Sequence, residues 1–268
     1  MKRKIGIFFA LFALFGMFLC PNCKEKAFAE TESQPIMAIV IDDFGGFERD
    51  GVNEMLDIKV PLTCAVIPFV EHTKEDSEQA IAHGHEVILH MPMESHVHLP
   101  ESWYGPVYVK NYDSIESACE KIDKCLAEIP MAKGANIHIG SGVCRNKDLM
   151  AGIISHLNEK DVYFCDSRTH PGTKCEIAAK MCNAPYVYRD VFLEPHGMKG
   201  YGTAVRFLKE CASLAKEKGY SVAIGHVGRE GGRQTALAIK NTIAEIEAMG
   251  VKIVPLSAVY ERIKTQNV

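Results

Sequence analysis

The chain has 268 residues, 47% of them apolar, 8% aromatic and 24% charged, proportions that exclude a disordered, collagen-like or coiled-coil chain. Its length fits one or two domains, and a single α/β barrel fits without strain. With 30 Lys and Arg against 34 Asp and Glu, the net charge of −4 speaks against a broadly basic nucleic-acid binder.

In chain order, the first element reads as an address. Lys2, Arg3 and Lys4 precede an uncharged apolar run over residues 5–19, shorter than the roughly 20 residues that a spanning helix needs. Ala27, Phe28 and Ala29 then supply a small-x-small cleavage pattern before Glu30. Residues 1–29 are therefore expected to be an export signal. The alternatives are an uncleaved membrane anchor and, more weakly, a lipoprotein signal at Cys20, which bulky Phe18 and Leu19 disfavour. Residues 30–268 then form the mature domain, 239 residues with 25 basic and 33 acidic side chains and a net charge of −8. The expected location is extracytoplasmic, secreted or envelope-associated, with no stable membrane insertion after cleavage. Eight of the ten cysteines fall in this part without a CxxC pair, so buried thiols are expected rather than a disulfide lattice.

From residue 36 onward, short β-branched runs alternate with amphipathic stretches. Strands are predicted at 36–41, 63–67, 86–90, 136–139, 162–165, 186–188, 222–224 and 252–254, and helices near 48–57, 74–84, 114–128, 147–159, 174–182, 202–218 and 233–249. In the third helix Ile115, Ala118, Cys119, Ile122, Leu126 and Ile129 recur at helical spacing. Such alternation predicts a parallel sheet with crossover helices, and seven or eight units in this length predict a closed or nearly closed β/α barrel. The long segment 91–112, with Trp103, Tyr104, Tyr108 and Tyr112, reads as a binding lid or a packed excursion.

Polar residues gather where the predicted strands end, the place where β/α folds assemble their sites. Asp42 and Asp43 follow the first strand, His90 and Glu94 the third, His138 ends the fourth, Asp166 and Arg168 follow the fifth, Arg189 and Asp190 the sixth, and His226 closes the seventh. His72, His83, His85, His96, His98 and His156 are read as ordinary hydrogen-bonding groups, and His170 and His196 are left open. A carboxylate with two imidazoles suits Zn²⁺ or a similar divalent ion with an open position. A second carboxylate and an imidazolium then complete the parts for metal-assisted hydrolysis of an amide or ester.

The ordered series IVIDD, LHMPME, NIHIGS, FCDSRT, RDVFL and AIGH resembles the divergent polysaccharide deacetylase family, a branch of the NodB-like carbohydrate esterases, over about residues 36–258. The resemblance implies a distorted (β/α)₇ barrel of the NodB-like type that binds a divalent metal, usually zinc, and removes acetyl groups from N- or O-acetylated polysaccharides. It assigns Asp42 as general base, Asp43 and His90 as metal ligands, and His226 as general acid. The wider family carries a second histidine four residues after the first, where this chain has Glu94. Either Glu94 or His138 then completes the metal site, and His138 is preferred because it ends a neighbouring strand. The Arg-x-Pro-Tyr and Asp-Trp signatures are not present in that form. Asp166, Arg168, Arg189 and Asp190 could orient the site or contact substrate, or form a structural ion-pair cluster. The expected partner is an acetylated polysaccharide or oligosaccharide. The overall acidity favours a neutral glycan over a polyanionic one, and the absence of an Arg/Lys cluster or Gly-rich phosphate cradle beside the candidate ligands disfavours a phosphodiesterase. The competing readings are a non-catalytic envelope glycan-binding or regulatory protein on the same barrel and a different metal hydrolase, such as an amidase.

Overall fold

The structure is a computed structural model that describes residues 34–195 and 198–266. The expected export signal and His196 lie outside the described residues. Ser33–Val268 forms one compact unit, and none of its described helices is long and apolar enough to cross a membrane.

Strands and helices alternate as the patterning predicts: β1 (Ile36–Phe44), α1 (Val52–Leu56), β2 (Thr63–Val66), α2 (Thr73–Ala82), β3 (Glu86–Met93), α3 (Ile115–Glu128), β4 (Gly134–Ile139), α4 (Lys147–Glu159), β5 (Tyr163–Asp166), α5 (Cys175–Met181), β6 (Val187–Tyr188), β7 (Val191–Phe192), α6 (Tyr201–Lys218), β8 (Tyr220–His226), α7 (Gly232–Ala248), β9 (Lys252–Ile253) and α8 (Leu256–Gln266). Local chemistry fixes several boundaries. Ser114 and Asn146 cap α3 and α4 by accepting the N–H groups of Ser117 and Leu149, and Gly219, at φ 84°, ends α6 in the left-handed conformation. The turn before α1 needs Gly51, at φ 81°, because a Cβ there would strike the backbone of Gly232 at the start of α7. β7 and α8 were not anticipated. Two residues are too few to show a strand period, while Leu256, Val259 and Ile263 do carry a helical stripe.

All ladders among the described residues are parallel, in the order β6-β5-β4-β3-β2-β1-β8-β7, with β9 beside the start of β1. The sheet curls into a distorted half-barrel, the NodB-like α/β architecture. β6 and β7 are the two ends of this order and are separated only by Arg189 and Asp190, so a single segment of the chain pairs with β5 through β6 and with β8 through β7.

Because side chains alternate across a strand, each strand feeds two cores. On β1, Met37, Ile39 and Ile41 face the outer core beneath the helices. Ile36, Ala38 and Val40 face an inner core with Ala65, Ile88, Cys165, Val222 and Ile224. Helix α8 forms the floor of that inner core. Leu256, Val259 and Ile263 pack into it, and the N–H groups of Leu256 and Ser257 donate to Thr63 Oγ1 (2.9 Å) and Glu86 Oε1 (3.1 Å). Thr63 and Tyr163 hydroxyls donate to the same Glu86 oxygen, so one oxygen of this carboxylate at a helix N-terminus takes three donors. All eight described cysteines are free and six are buried, consistent with small apolar packing groups.

The turn that follows β1 is held from α2. Asp76 is fully buried, accepts the Gly45 N–H at 2.7 Å and takes a two-pronged contact from Arg49 at 2.5 and 2.6 Å. Charge-assisted bonds of this kind are the stronger class. Asp76→Ala is expected to lower the unfolding free energy by about 2 kcal/mol, read from urea denaturation. A change below about 0.5 kcal/mol, the size of an ordinary surface substitution, would remove Asp76 from this role.

Candidate active site

Continuing each inner row toward the C-terminal ends of the strands brings polar residues into one place. Asp42 follows Val40, His90 follows Ile88, His226 follows Ile224, and Asn136 and His138 take the same face of β4. The first strand supplies two carboxylates instead of one because its ladder to β2 shifts register between Ile41 and Phe44. Asp43 sits in that bulge at φ 70°, a left-handed conformation that Asp tolerates better than most residues. Consecutive side chains, which would otherwise point to opposite faces, thus both reach the barrel mouth.

Asp43 Oδ1 lies 3.1 Å from His138 Nδ1 and 3.3 Å from His90 Nε2. These three residues each offer a ligand atom, all within 4.8 Å of one another. Their remaining ring nitrogens are already committed. His90 Nδ1–H donates to Asn136 Oδ1 at 2.6 Å, and His138 Nε2–H donates to the Trp103 carbonyl at 3.1 Å. Both imidazoles are therefore fixed with one nitrogen facing the shared point, as metal-ligating histidines require. The donor set of two imidazoles and one carboxylate fits a divalent ion such as zinc. Burial resists ionisation of Asp43, but the two imidazoles beside it, His138 and His90, prevail and hold it well below the usual carboxylate range.

Asp42 is set apart by its surroundings. It is almost fully buried and accepts the Asn136 amide N–H at 2.8 Å, with His90 Nδ1 at 3.7 Å. Burial raises its pKa, opposed by the nearby His90 and His226. His226 forms the other wall. Its Nδ1 lies 3.0 Å from Glu194 Oε2, and Glu194 is itself buried and takes a hydrogen bond from Thr235. Burial opposes a cationic ring, yet Glu194, with Asp43 and Asp42 behind it, raises His226 to about 9.

Glu94 does not join the three converging ligand residues. Its carboxylate accepts the Asn111 N–H at 2.7 Å and organises the loop 94–114. Tyr104 is buried and stacks on Tyr108, whereas Trp103 and Tyr112 are exposed and the Trp103 carbonyl reaches His138. The other four expected residues divide. Asp166 is spent on the loop, accepting Arg168 N–H, Thr173 Oγ1 and Tyr186 OH. Asp190 pairs with Lys218 and accepts Val222 N–H, an ion pair that braces β8. Arg168 and Arg189 face a separate concavity beside the mouth. His83, His85 and His156 bond Leu56 carbonyl or Asp123, as ordinary polar groups do. Sequence reasoning missed Asn136 and Glu194. Asn136 was legible in principle, two residues before His138 and so on the same strand face. Glu194 follows a strand too short to announce itself.

A sequence profile of the divergent polysaccharide deacetylase family matches residues 39–260. The chain belongs to that family. It is 30% identical over 194 residues to the uncharacterized protein YibQ of Escherichia coli, an alignment covering 71% of this chain and 58% of YibQ. The chain therefore matches less than two thirds of that relative's length. Among solved structures, the uncharacterized protein ATU2773 of Agrobacterium tumefaciens superposes with a TM-score of 0.75 at 20% identity, covering 84% of this chain and 89% of its own. The catalytic domain of a peptidoglycan N-acetylglucosamine deacetylase from Eubacterium rectale superposes with a TM-score of 0.51 at 16% identity, over 83% of this chain and 89% of that one. At these identities the two structures speak for the shared fold.

Two outcomes test the supporting residues. Asn136→Ala should weaken binding of added Zn²⁺ roughly 10- to 100-fold, the usual cost of losing a hydrogen-bond partner behind a ligand, measured by competition with a chromogenic chelator. Glu194→Gln should move the His226 titration down by about 1 pH unit or more, followed by NMR, because the nearest anion favouring the cation is removed. An unmoved titration would show that other groups set the charge of His226.

Proposed function

We propose that the protein is an exported, metal-dependent hydrolase that removes acetyl groups from an N- or O-acetylated polysaccharide. The observation that carries this reading is the convergence of Asp43, His90 and His138 on one point, with Asp42 and His226 on either side. Asp43, His90 Nε2 and His138 Nδ1 would hold the cation. When bound, a divalent ion supplies Lewis acidity, making water more acidic and polarising an acyl carbonyl.

This chain's own residues divide the proton work by their environments. Asp42, steadied by the Asn136 amide, accepts the proton of the attacking water as the C–O bond to the acetyl carbon forms. His226, cationic below about pH 9, donates its proton to the leaving amine or alkoxide as the acyl bond breaks. Glu194 keeps the proton-donating nitrogen turned inward by holding Nδ1. His226 loses its proton as pH rises through about 9, so the acid function, and with it turnover, is expected to fall above that pH. Asp42 and Asp43 are adjacent carboxylates with opposite perturbations, the kind of separation that marks distinct acid–base assignments. The family match and the export-like N-terminus support an acetylated envelope or extracellular glycan as the substrate class.

The test is metal analysis joined to acetate release from chitin oligomers, peptidoglycan and acetylated xylan. The purified protein should carry about one divalent ion per chain, lost in His90→Ala and His138→Ala. Asp42→Asn should retain the ion while acetate release falls by at least about 100-fold. A metal-free protein, or one indifferent to both histidine changes, would overturn the metal assignment. A metal-loaded protein inert on every acetylated glycan would favour a binding role for the same barrel.

A further inference from the structure

The concavity beside the mouth, about 410 Å³, is lined by Arg168, His170, Thr173, Glu176, Tyr186 and Arg189. Its two guanidinium groups are held in place without a direct ion pair among the described residues. Arg189 Nε donates to the Ser167 carbonyl at 2.8 Å and its Nη2 to the Arg168 carbonyl at 3.0 Å. Its plane lies 3.6 Å from the centre of the Phe192 ring. Those bonds grip a loop in which Arg168 takes the left-handed conformation, at φ 49°, with its own N–H bound to Asp166 Oδ1. The Arg168 guanidinium is thereby laid on the Tyr188 ring at 3.7 Å.

Asp166 favours the charge of both arginines and Asp42 that of Arg189, but neither acid, nor Glu176, makes an ion pair with them. Asp166 spends its oxygens on the Arg168 N–H, Thr173 and Tyr186, and Glu176 pairs with Lys180 at 2.6 Å. Among the described residues neither arginine has a carboxylate within ion-pair distance. Arginine offers five donors in a planar fork. Arg189 uses two of them on carbonyls, and both arginines line the concavity. Burial and the like charge of Arg168 lower Arg189 to about 10, against Asp166, Cys165 and Asp42, which favour its charge, whereas the burial of Arg168 is outweighed by Tyr186, Tyr188 and Asp166, which raise it. The site is close to the chemistry. Phe192, which carries Arg189 on one face, has its ring 5.7 Å from that of His226.

We propose that Arg168 and Arg189 form a receptor for an anionic group, carboxylate or phosphate, carried by the glycan whose acetyl group is removed at the neighbouring centre. The proposal rests on the hydrolase reading for its substrate but adds a property of its own, a preference for charged over neutral acetylated glycans. Planar, stacked guanidinium pairs match the oxygens of either anion. A local pair of cations prevails here over the average acidity of the chain, because charges beyond about 10 Å are largely screened at moderate salt.

The experiment titrates the purified protein with three probes: a neutral N-acetylglucosamine tetramer, the same tetramer carrying a C6 carboxylate, and the same tetramer carrying a 6-phosphate. At least one anionic probe should bind ten-fold or more tightly than the neutral one, and the preference should shrink as salt is raised. The tighter of the two names the anion. Arg168→Gln should abolish the preference, and Arg168→Lys, which keeps the charge and loses the fork, should retain part of it. Equal affinities in the wild type, no binding of any probe, or a preference unchanged in Arg168→Gln would each overturn the proposal. Acetate release measured in parallel separates the two readings. Release without an anionic preference sinks this inference alone, while an Arg168-dependent preference without release leaves it standing and sinks the hydrolase.

Discussion

The chemistry at the barrel mouth depends on one backbone irregularity. A regular strand sends successive side chains to opposite faces, so an unbroken β1 would commit either Asp42 or Asp43 to the outer, helix-covered side. The shifted register between Ile41 and Phe44 and the left-handed conformation of Asp43 remove that restriction. A left-handed residue costs about 1–2 kcal/mol. The contacts of Asp43 with His90 and His138 and the grip of buried Asp76 on Gly45 offset it. Without the bulge the same sequence would form a barrel with a lone carboxylate at its mouth.

Around that pair, residues outside the ligand set determine what each functional group can do. Asn136 touches both Asp42 and His90, tying the residue proposed as base to a residue proposed as ligand through one amide. Trp103 brings the long loop to His138 by its backbone carbonyl, so the exposed indole beside it is attached to the centre rather than free of it. Glu194 does for His226 what solvent could not, holding a buried imidazole cationic. The contrast between Asp43, held low by two imidazoles, and Asp42, raised by burial, arises from neighbours on three other strands, β3, β4 and β8.

Charge operates on two scales in this molecule. The net acidity of residues 30–268 describes the far field and discourages association with nucleic acid. Within a few ångströms of the mouth the balance is reversed on one side, where Arg168 and Arg189 lie on aromatic faces and their nearest carboxylates are already bonded. A chain average carries no information about such a cluster, because it depends on which loops meet.

The sequence by itself determined the strand–helix alternation, since hydrophobic period is a local property, and it determined the candidates Asp42, Asp43, His90, His138 and His226, since polar residues at the ends of apolar strands are legible one strand at a time. It also carried the family resemblance, which lies in the order of short motifs. What only the tertiary structure decided were relations across strands. His138, rather than Glu94, converges with Asp43 and His90, because Glu94 lies beyond the end of β3 and turns to Asn111. Asp190 and Asp166 are structural, because Lys218 and Tyr186 come from elsewhere in the chain to meet them. Asn136 and Glu194 gained their importance only from partners 94 and 32 residues away in sequence. Periodicity is written along the chain, whereas orientation, pairing and electrostatic environment exist only once distant segments share one space.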